Sequence, residues 1–365
     1  MTEYIIIFLL LLAGSLAFFL TYNRYFVKTE KPTSTLYTEA LRDLLDGNQS
    51  AAFSKLRQVV AEDTSNLDAY LRLGQILREN KNPQRALQVH KDLTLRRGLS
   101  VDQKSAILRQ LVLDYHDLND PDMAGAALKE MIALQPENLW AHARLLELHK
   151  TAARWDDAYD TSAAILKLES NKSKKPLAGF KYRQGEHLYQ QKEYHKARVL
   201  FKEAIGLDPT LVPAYLAVGD TYYDEERYED AVNFWTKLIA AVPAQGHRVI
   251  ERLKRTLVDL GRFGEIVDIC ETLLRHDPRN REARLTLADF HEKKGDLDAA
   301  EELLAQVVEE SPADVPAIID LVRIHLEKRD YRKLGELVRR LEKRNARQTG
   351  RLESDEVGSG AVGIS

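Results

Sequence analysis

Histidine and cysteine are the side chains of this sequence that could act as nucleophiles, bases or metal ligands. The chain has ten histidines and one cysteine, Cys270. A single cysteine can form neither an internal disulfide nor a multi-cysteine zinc site. His142 and His149 lie seven residues apart, but no H-E-x-x-H motif occurs and no carboxylate is set beside them as a further ligand. The sequence predicts no metal site, no cofactor and no catalytic group.

A glycine-rich motif of the phosphate-binding type, G-x-G-x-x-G, occurs at Gly358, Gly360 and Gly363. This motif needs a strand before it and a helix after it to present backbone amides to a phosphate. Here only two residues follow Gly363. We therefore expect no nucleotide site, and the formal net charge of −3 is too small to indicate nucleic acid as a partner.

His90 and Cys270 occupy the same place in a repeating pattern of about 34 residues. The units begin near Thr33, Leu67, Ser105, Leu139, Ala178, Val212, His247, Arg281 and Val315. Position 24 of the unit is filled by Leu56, His90, Leu128, Ser162, Phe201, Trp235, Cys270, Leu304 and Val338. Large apolar residues dominate there, which is typical of a packing position. We expect His90 and Cys270 to be buried rather than reactive.

Two further positions of the unit predict pairs of helices. Position 20 is mostly alanine, as in Ala86 and Ala158, and a small residue there lets two antiparallel helices approach closely. Position 32 is often proline, as in Pro209 and Pro278, which ends a helix because proline cannot continue it. Ala, Leu, Glu, Lys and Arg dominate the composition, so we expect helix almost throughout.

This pattern resembles the tetratricopeptide repeat over residues 33 to 345. Each repeat is a helical hairpin that buries its apolar face only by stacking on its neighbours. We predict an all-α superhelical solenoid of about nine hairpins, with a concave groove lined by the first helix of each hairpin. One amino-terminal transmembrane helix precedes it.

The predicted organisation has seven parts. They are a leader (1–3), a transmembrane anchor (4–23), a basic juxtamembrane linker (24–32), a first repeat block (33–170), a basic hinge (171–177), a second repeat block (178–345) and a disordered tail (346–365).

The anchor prediction rests on residues 4–23, which carry no ionisable group apart from tyrosines. Twenty residues rise about 30 Å as a helix, matching the hydrocarbon core of a bilayer. The acidic leader and the lack of an A-x-A site favour a permanent anchor over the alternative, a cleaved signal peptide. Arg24, Lys28 and Lys31 follow the span, so the positive-inside rule places the repeats in the cytoplasm.

Binding candidates follow from the groove. Positions 5, 9 and 12 of a first helix face it, and they give Gln75, Arg78, Arg109, His116, Tyr182, Glu186, Tyr189, Asp220 and Tyr223. Arg and Tyr supply much of the binding energy in protein interfaces. For any single one of these residues, the alternative to a binding role is an ordinary solvent-exposed polar side chain.

Residues 40 to 118 resemble the lipopolysaccharide assembly protein B family more specifically. The residues that carry this resemblance are Gly47, Asn48, Glu62, Asp63, Ala69, Leu73, Gly74, Arg78, Arg85, Ala86, His90, Leu93, Leu108, Leu111 and Tyr115. The resemblance implies a non-catalytic adaptor at the bacterial inner membrane. It helps a membrane-anchored AAA+ protease degrade the deacetylase that commits lipid A synthesis.

The sequence departs from that family at its end. The family carries a rubredoxin-like zinc module with paired C-x-x-C motifs, and this chain, with Cys270 alone, is expected to lack it. Two alternatives stay open: an envelope-assembly or cytochrome-maturation scaffold with a different client, and an enzyme whose site is scattered over the groove. The sequence also leaves open whether the chain forms a homo-oligomer.

Overall fold

The computed structural model describes residues 33–342 together with Ser15. The predicted leader, anchor and linker, apart from Ser15, and the predicted tail lie outside the described residues. Contacts divide the chain into two compact units, Met1–Ala153 and Arg154–Ser365. Within the described ranges no helix combines the length and the apolar composition that crossing a bilayer requires.

The described part of the first unit is a run of helices. They are α1 (Thr33–Leu45), α2 (Gln49–Glu62), α3 (Leu67–Glu79), α4 (Pro83–Thr94), α5 (Val101–Asp117), α6 (Pro121–Leu134) and α7 (Leu139–Thr151). Helices α1 and α2, α3 and α4, and α5 and α6 pack in pairs, and α3 also contacts α5. The first helices of neighbouring pairs therefore form one layer.

The second unit continues the pattern. Its helices are α8 (Trp155–Leu168), α9 (Lys175–Gln190), α10 (Tyr194–Leu207), α11 (Val212–Asp224), α12 (Tyr228–Ala241), a 3₁₀ helix (Pro243–Val249), α13 (Ile250–Asp259), α14 (Glu265–His276), α15 (Arg281–Lys294), α16 (Leu297–Glu310), α17 (Val315–Glu327) and α18 (331–342). Each first helix from α9 to α15 pairs with the helix after it, and α9 also contacts α11. The hinge predicted at 171–177 joins α8 to α9, and its role as a boundary stays a prediction.

Every predicted repeat has the same turn between its two helices. Position 15 of the unit has a positive φ in all nine repeats, at Gly47, Lys81, Asn119, Ala153, Lys192, Glu226, Gly261, Gly295 and Arg329. A left-handed residue ends an α-helix and turns the chain back on itself. Because all nine turns fall on one position of the unit, the predicted all-α tetratricopeptide-type hairpins are confirmed within each of the two units.

Close packing across the hairpin explains position 24. A Cβ atom on Gly219 would lie 2.0 Å from Nε1 of Trp235, and one on Gly74 would lie 2.3 Å from Nε2 of His90. Only glycine leaves room for such large side chains. His90 and Cys270 are fully buried, so the predicted packing role of both residues is confirmed.

Side chains at position 4 join a hairpin to the one before it. His142 Nε2 lies 2.9 Å from the carbonyl oxygen of Pro136, and the Tyr215 hydroxyl donates to that of Pro209 at 3.2 Å. Arg284 donates in the same way to Pro278. Each proline lies two residues beyond the end of the preceding helix, so these bonds tie the first helix of a hairpin to the connection that leads into it.

Candidate functional site

The predicted site residues of the first unit lie on α3 and α5. Gln75 donates to Glu79 at 2.8 Å, and Arg78 donates to Asp114 at 2.8 Å and to Gln110 at 3.0 Å. The Arg78 side chain is only 10% exposed. Its guanidinium group therefore holds α3 against α5.

Asp114 is the partner that sequence reasoning missed. Its carboxylate is fully buried and also bonds to Nδ1 of His90. The other ring nitrogen of His90 faces the carbonyl oxygen of Leu71 at 3.2 Å. Trp235 makes the equivalent contact in the second unit, where its Nε1 donates to the Leu216 carbonyl oxygen at 3.2 Å. The histidine thus replaces a tryptophan in the same geometry.

The remaining first-unit candidates are exposed. The guanidinium carbon of Arg109 lies 4.6 Å from the centre of the Trp140 ring. His116 is 74% exposed beside Asp117, with 3.3 Å between the ring nitrogen and a carboxylate oxygen. Arg109 is therefore free to meet a partner while its position is fixed by an aromatic ring.

In the second unit, three predicted residues line one pocket of about 210 Å³. Tyr189 comes from α9, and Asp220 and Tyr223 come from α11. The other lining residues are Asp224, Trp235, Arg252, Arg255 and Thr256. The layer of first helices α9, α11 and α13 brings these side chains together, as the repeat register predicts for positions that share one face.

Hydrogen bonds fix most of the polar groups in this pocket. The Tyr189 hydroxyl donates to Asp224, and Arg252 donates to both carboxylate oxygens of Asp220, at 2.8 and 3.3 Å. Burial raises the pKa of Tyr189, and the bond to Asp224 raises it further. Burial also raises the pKa of Asp220, against the opposing effect of Arg252. Tyr189, Asp220, Asp224 and Arg252 are thus bonded to one another in pairs within the pocket.

Tyr223 is the aromatic wall of the pocket. Its ring lies 5.3 Å from that of Tyr228, edge to face, and 6.1 Å from that of Trp235. Arg255 lines the same pocket, exposed and with neither an ion pair nor a hydrogen bond among the described residues. An immobilised aromatic face beside an available guanidinium group is a typical anchor for a protein partner.

Tyr182 and Glu186 lie on α9 outside the pocket. The Tyr182 ring packs 5.5 Å from that of Phe201, and Glu186 accepts a hydrogen bond from Arg183 at 2.7 Å. Burial, together with a hydrogen bond to Glu186, raises the pKa of Tyr182 to about 12. Glu186 and Tyr182 lie about one and two helical turns before Tyr189 on the same helix.

Neither a reactive thiol nor a metal-binding cluster occurs among the described residues. Burial raises the pKa of the Cys270 thiol to about 12, so thiolate is scarce at neutral pH. In the described ranges no three His, Cys, Asp or Glu side chains are placed to hold a metal ion. A larger cavity of about 840 Å³ near Gly47 and Asn80 has Phe53 as its one aromatic lining residue, and none of the predicted residues lines it.

Comparison with known proteins finds relatives that contain the same type of repeat. A tetratricopeptide repeat model matches residues 257–322 and 293–347. Lipopolysaccharide assembly protein B of Escherichia coli K12 is 21% identical over 276 residues, which cover 76% of this chain and 71% of that protein. Its counterpart in Haemophilus influenzae is 24% identical over 263 residues, covering 69% and 63%.

A solved tetratricopeptide repeat protein from Parabacteroides merdae aligns with 80% of this chain and 98% of its own, at 13% identity and a TM-score of 0.36. The resemblance inferred from residues 40 to 118 is confirmed by the two bacterial relatives. The chain is an array of tetratricopeptide-type hairpins similar to lipopolysaccharide assembly protein B.

Proposed function

We propose that this protein is a non-catalytic adaptor that binds other proteins through the first-helix faces of its repeats and acts in lipopolysaccharide assembly. The observation that carries the proposal is the pocket in which Tyr189, Asp220 and Tyr223 meet Arg252 and Arg255. Tyr189 and Tyr223 are half-buried and held by contacts within the unit, so they lose little conformational freedom on binding. Such residues supply hot-spot energy in protein interfaces.

The similarity to lipopolysaccharide assembly protein B supports the proposed role in lipopolysaccharide assembly. The proposed clients are a membrane AAA+ protease and the deacetylase that commits lipid A synthesis. Residues 4–23 have the composition of a single-pass anchor in the bacterial inner membrane, with the repeats on the cytoplasmic side. An anchor confines the repeats near membrane enzymes and raises their effective concentration, so weak contacts become sufficient. A scaffold for another envelope client is the alternative.

Pocket substitutions test the adaptor proposal. We expect Tyr189→Ala combined with Tyr223→Ala to lower the recovery of the protease and deacetylase, captured with the full-length protein from native membranes, at least tenfold. Two hot-spot truncations of about 2 kcal/mol each are sufficient for a loss of this size. Quantitative mass spectrometry of the captured proteins measures the effect.

The matched control is Tyr331→Ala, which removes a tyrosine that is 67% exposed and outside the pocket. Circular dichroism verifies that all variants fold. Capture of both clients at the original level by the folded double variant would contradict the proposal. Pocket-dependent capture of different envelope proteins would favour the alternative client.

A further inference from the structure

Two arginines of the first unit share one tryptophan. The guanidinium carbon of Arg109, on α5, lies 4.6 Å from the centre of the Trp140 ring, and that of Arg144, on α7, lies 6.0 Å from it. Both arginines are exposed, and Trp140 is half-buried against the core of the unit. The half-buried ring is therefore a contact that both cations share.

Two other cations on the first helices of this unit are already paired. Arg72 bonds to Asp68 at 2.6 Å, and Lys150 bonds to Glu147 at 2.9 Å. By contrast, neither Arg109 nor Arg144 makes a hydrogen bond or ion pair with any of the residues that the structure describes. All the N–H donors of both side chains therefore remain available to a ligand.

A guanidinium group presents five N–H donors in a planar fork that matches a carboxylate. Stacking on an aromatic ring orients this fork and leaves its edge free. We propose that Arg109, Trp140 and Arg144 form a binding site for an acidic segment of a partner protein, with one Asp or Glu side chain at each arginine. This inference rests on the proposed function, because it assigns a partner chemistry to the first-helix face of the first unit.

The surroundings favour a peptide over a lipid surface. Docking on an anionic bilayer requires a broad plane of positive charge. Here α5 also carries Asp102 and Asp117, and α7 carries Glu147. A flat anionic surface would meet these carboxylates as well, whereas an extended peptide can place its own acidic side chains at the two arginines alone.

A labelled peptide tests the site directly. The probe is a fluorescent twelve-residue peptide with glutamate at every third position, titrated against the full-length protein in detergent and followed by anisotropy. We expect Arg109→Glu with Arg144→Glu to weaken binding at least tenfold, and to create binding of the matched peptide with lysine in place of glutamate. Arg144→Lys keeps the charge but loses the planar fork, so we expect an intermediate loss.

The control is Arg57→Glu with Arg85→Glu, which changes the net charge equally on exposed positions of the second helices α2 and α4. We expect this control to bind the acidic peptide within twofold of the unchanged protein. Equal weakening by both double variants would overturn the proposal. So would binding of phosphatidylglycerol vesicles, but not of the peptide, through Arg109 and Arg144. The second-unit pocket is intact in every one of these variants, so its own test stays independent.

Discussion

Replacing Trp235 with alanine is expected to lower the free energy of unfolding of the second unit by about 3–5 kcal/mol. The side chain is 2% exposed and lies against Gly219, where a Cβ atom would be 2.0 Å away. Its indole nitrogen donates to the Leu216 carbonyl at 3.2 Å. Alanine would leave a cavity above Gly219, between the two helices of the hairpin, and would remove the donor to the Leu216 carbonyl oxygen.

Urea denaturation followed by far-ultraviolet circular dichroism measures this loss. Trp235→Phe is the matched variant, since phenylalanine fills the equivalent position in Phe201, which lies against Gly185. We expect it to lose about 1 kcal/mol, the typical net contribution of one hydrogen bond. A loss below about 1 kcal/mol for Trp235→Ala would show that position 24 does not hold the hairpin together.

Replacing Asp114 with alanine is expected to destabilise the first unit by about 3–5 kcal/mol. The carboxylate is fully buried and bonds to both His90 and Arg78. Removing it leaves the buried Arg78 guanidinium group without its counter-charge and one His90 nitrogen without a partner. Burying an unpaired charge is far more costly than losing an exposed ion pair.

The control is Asp117→Ala, because Asp117 is exposed on the same helix and we expect its loss to change stability by less than about 0.5 kcal/mol. A double-mutant cycle with His90→Phe separates the contribution of the His90–Asp114 bond from that of the Arg78–Asp114 ion pair. Once the histidine is gone, Asp114→Ala should lose about 1–3 kcal/mol less than it does alone. Additive effects of the two substitutions would mean that His90 and Asp114 do not interact.

The repeat register made much of the fold predictable. Spacing alone placed His90 and Cys270 at position 24, and both are buried there. The turns also recur on schedule, because a left-handed residue is needed wherever a short connection reverses the chain. The His90 partner could not be predicted, because Asp114 lies at position 10, which carries no repeating residue type. Arg78 on α3 contacts Asp114 on the neighbouring helix α5. The repeat register does not determine where the end of such a long side chain lies.

The second-unit pocket was predictable in part. Tyr189, Asp220 and Tyr223 came from positions 9 and 12 and line one pocket, and their role in binding stays a prediction. Arg252 was missed because it lies at position 6 of the seventh repeat, outside the three positions from which candidates were taken. A usable signal does exist in the sequence: opposite charges about one repeat apart. It joins Asp220 to Arg252, and recurs as Lys254 with Asp289 and as Glu292 with Arg323.

Crosslinking in living cells tests the central claim, that first-helix faces bind proteins. A photoreactive amino acid replaces Tyr223 in the full-length protein, and a matched version carries it at Val199, an exposed residue on the second helix α10. We predict a discrete protein adduct from position 223 and none from position 199, detected by immunoblot and identified by mass spectrometry. No adduct from position 223, or equal adducts from both positions, would contradict the account.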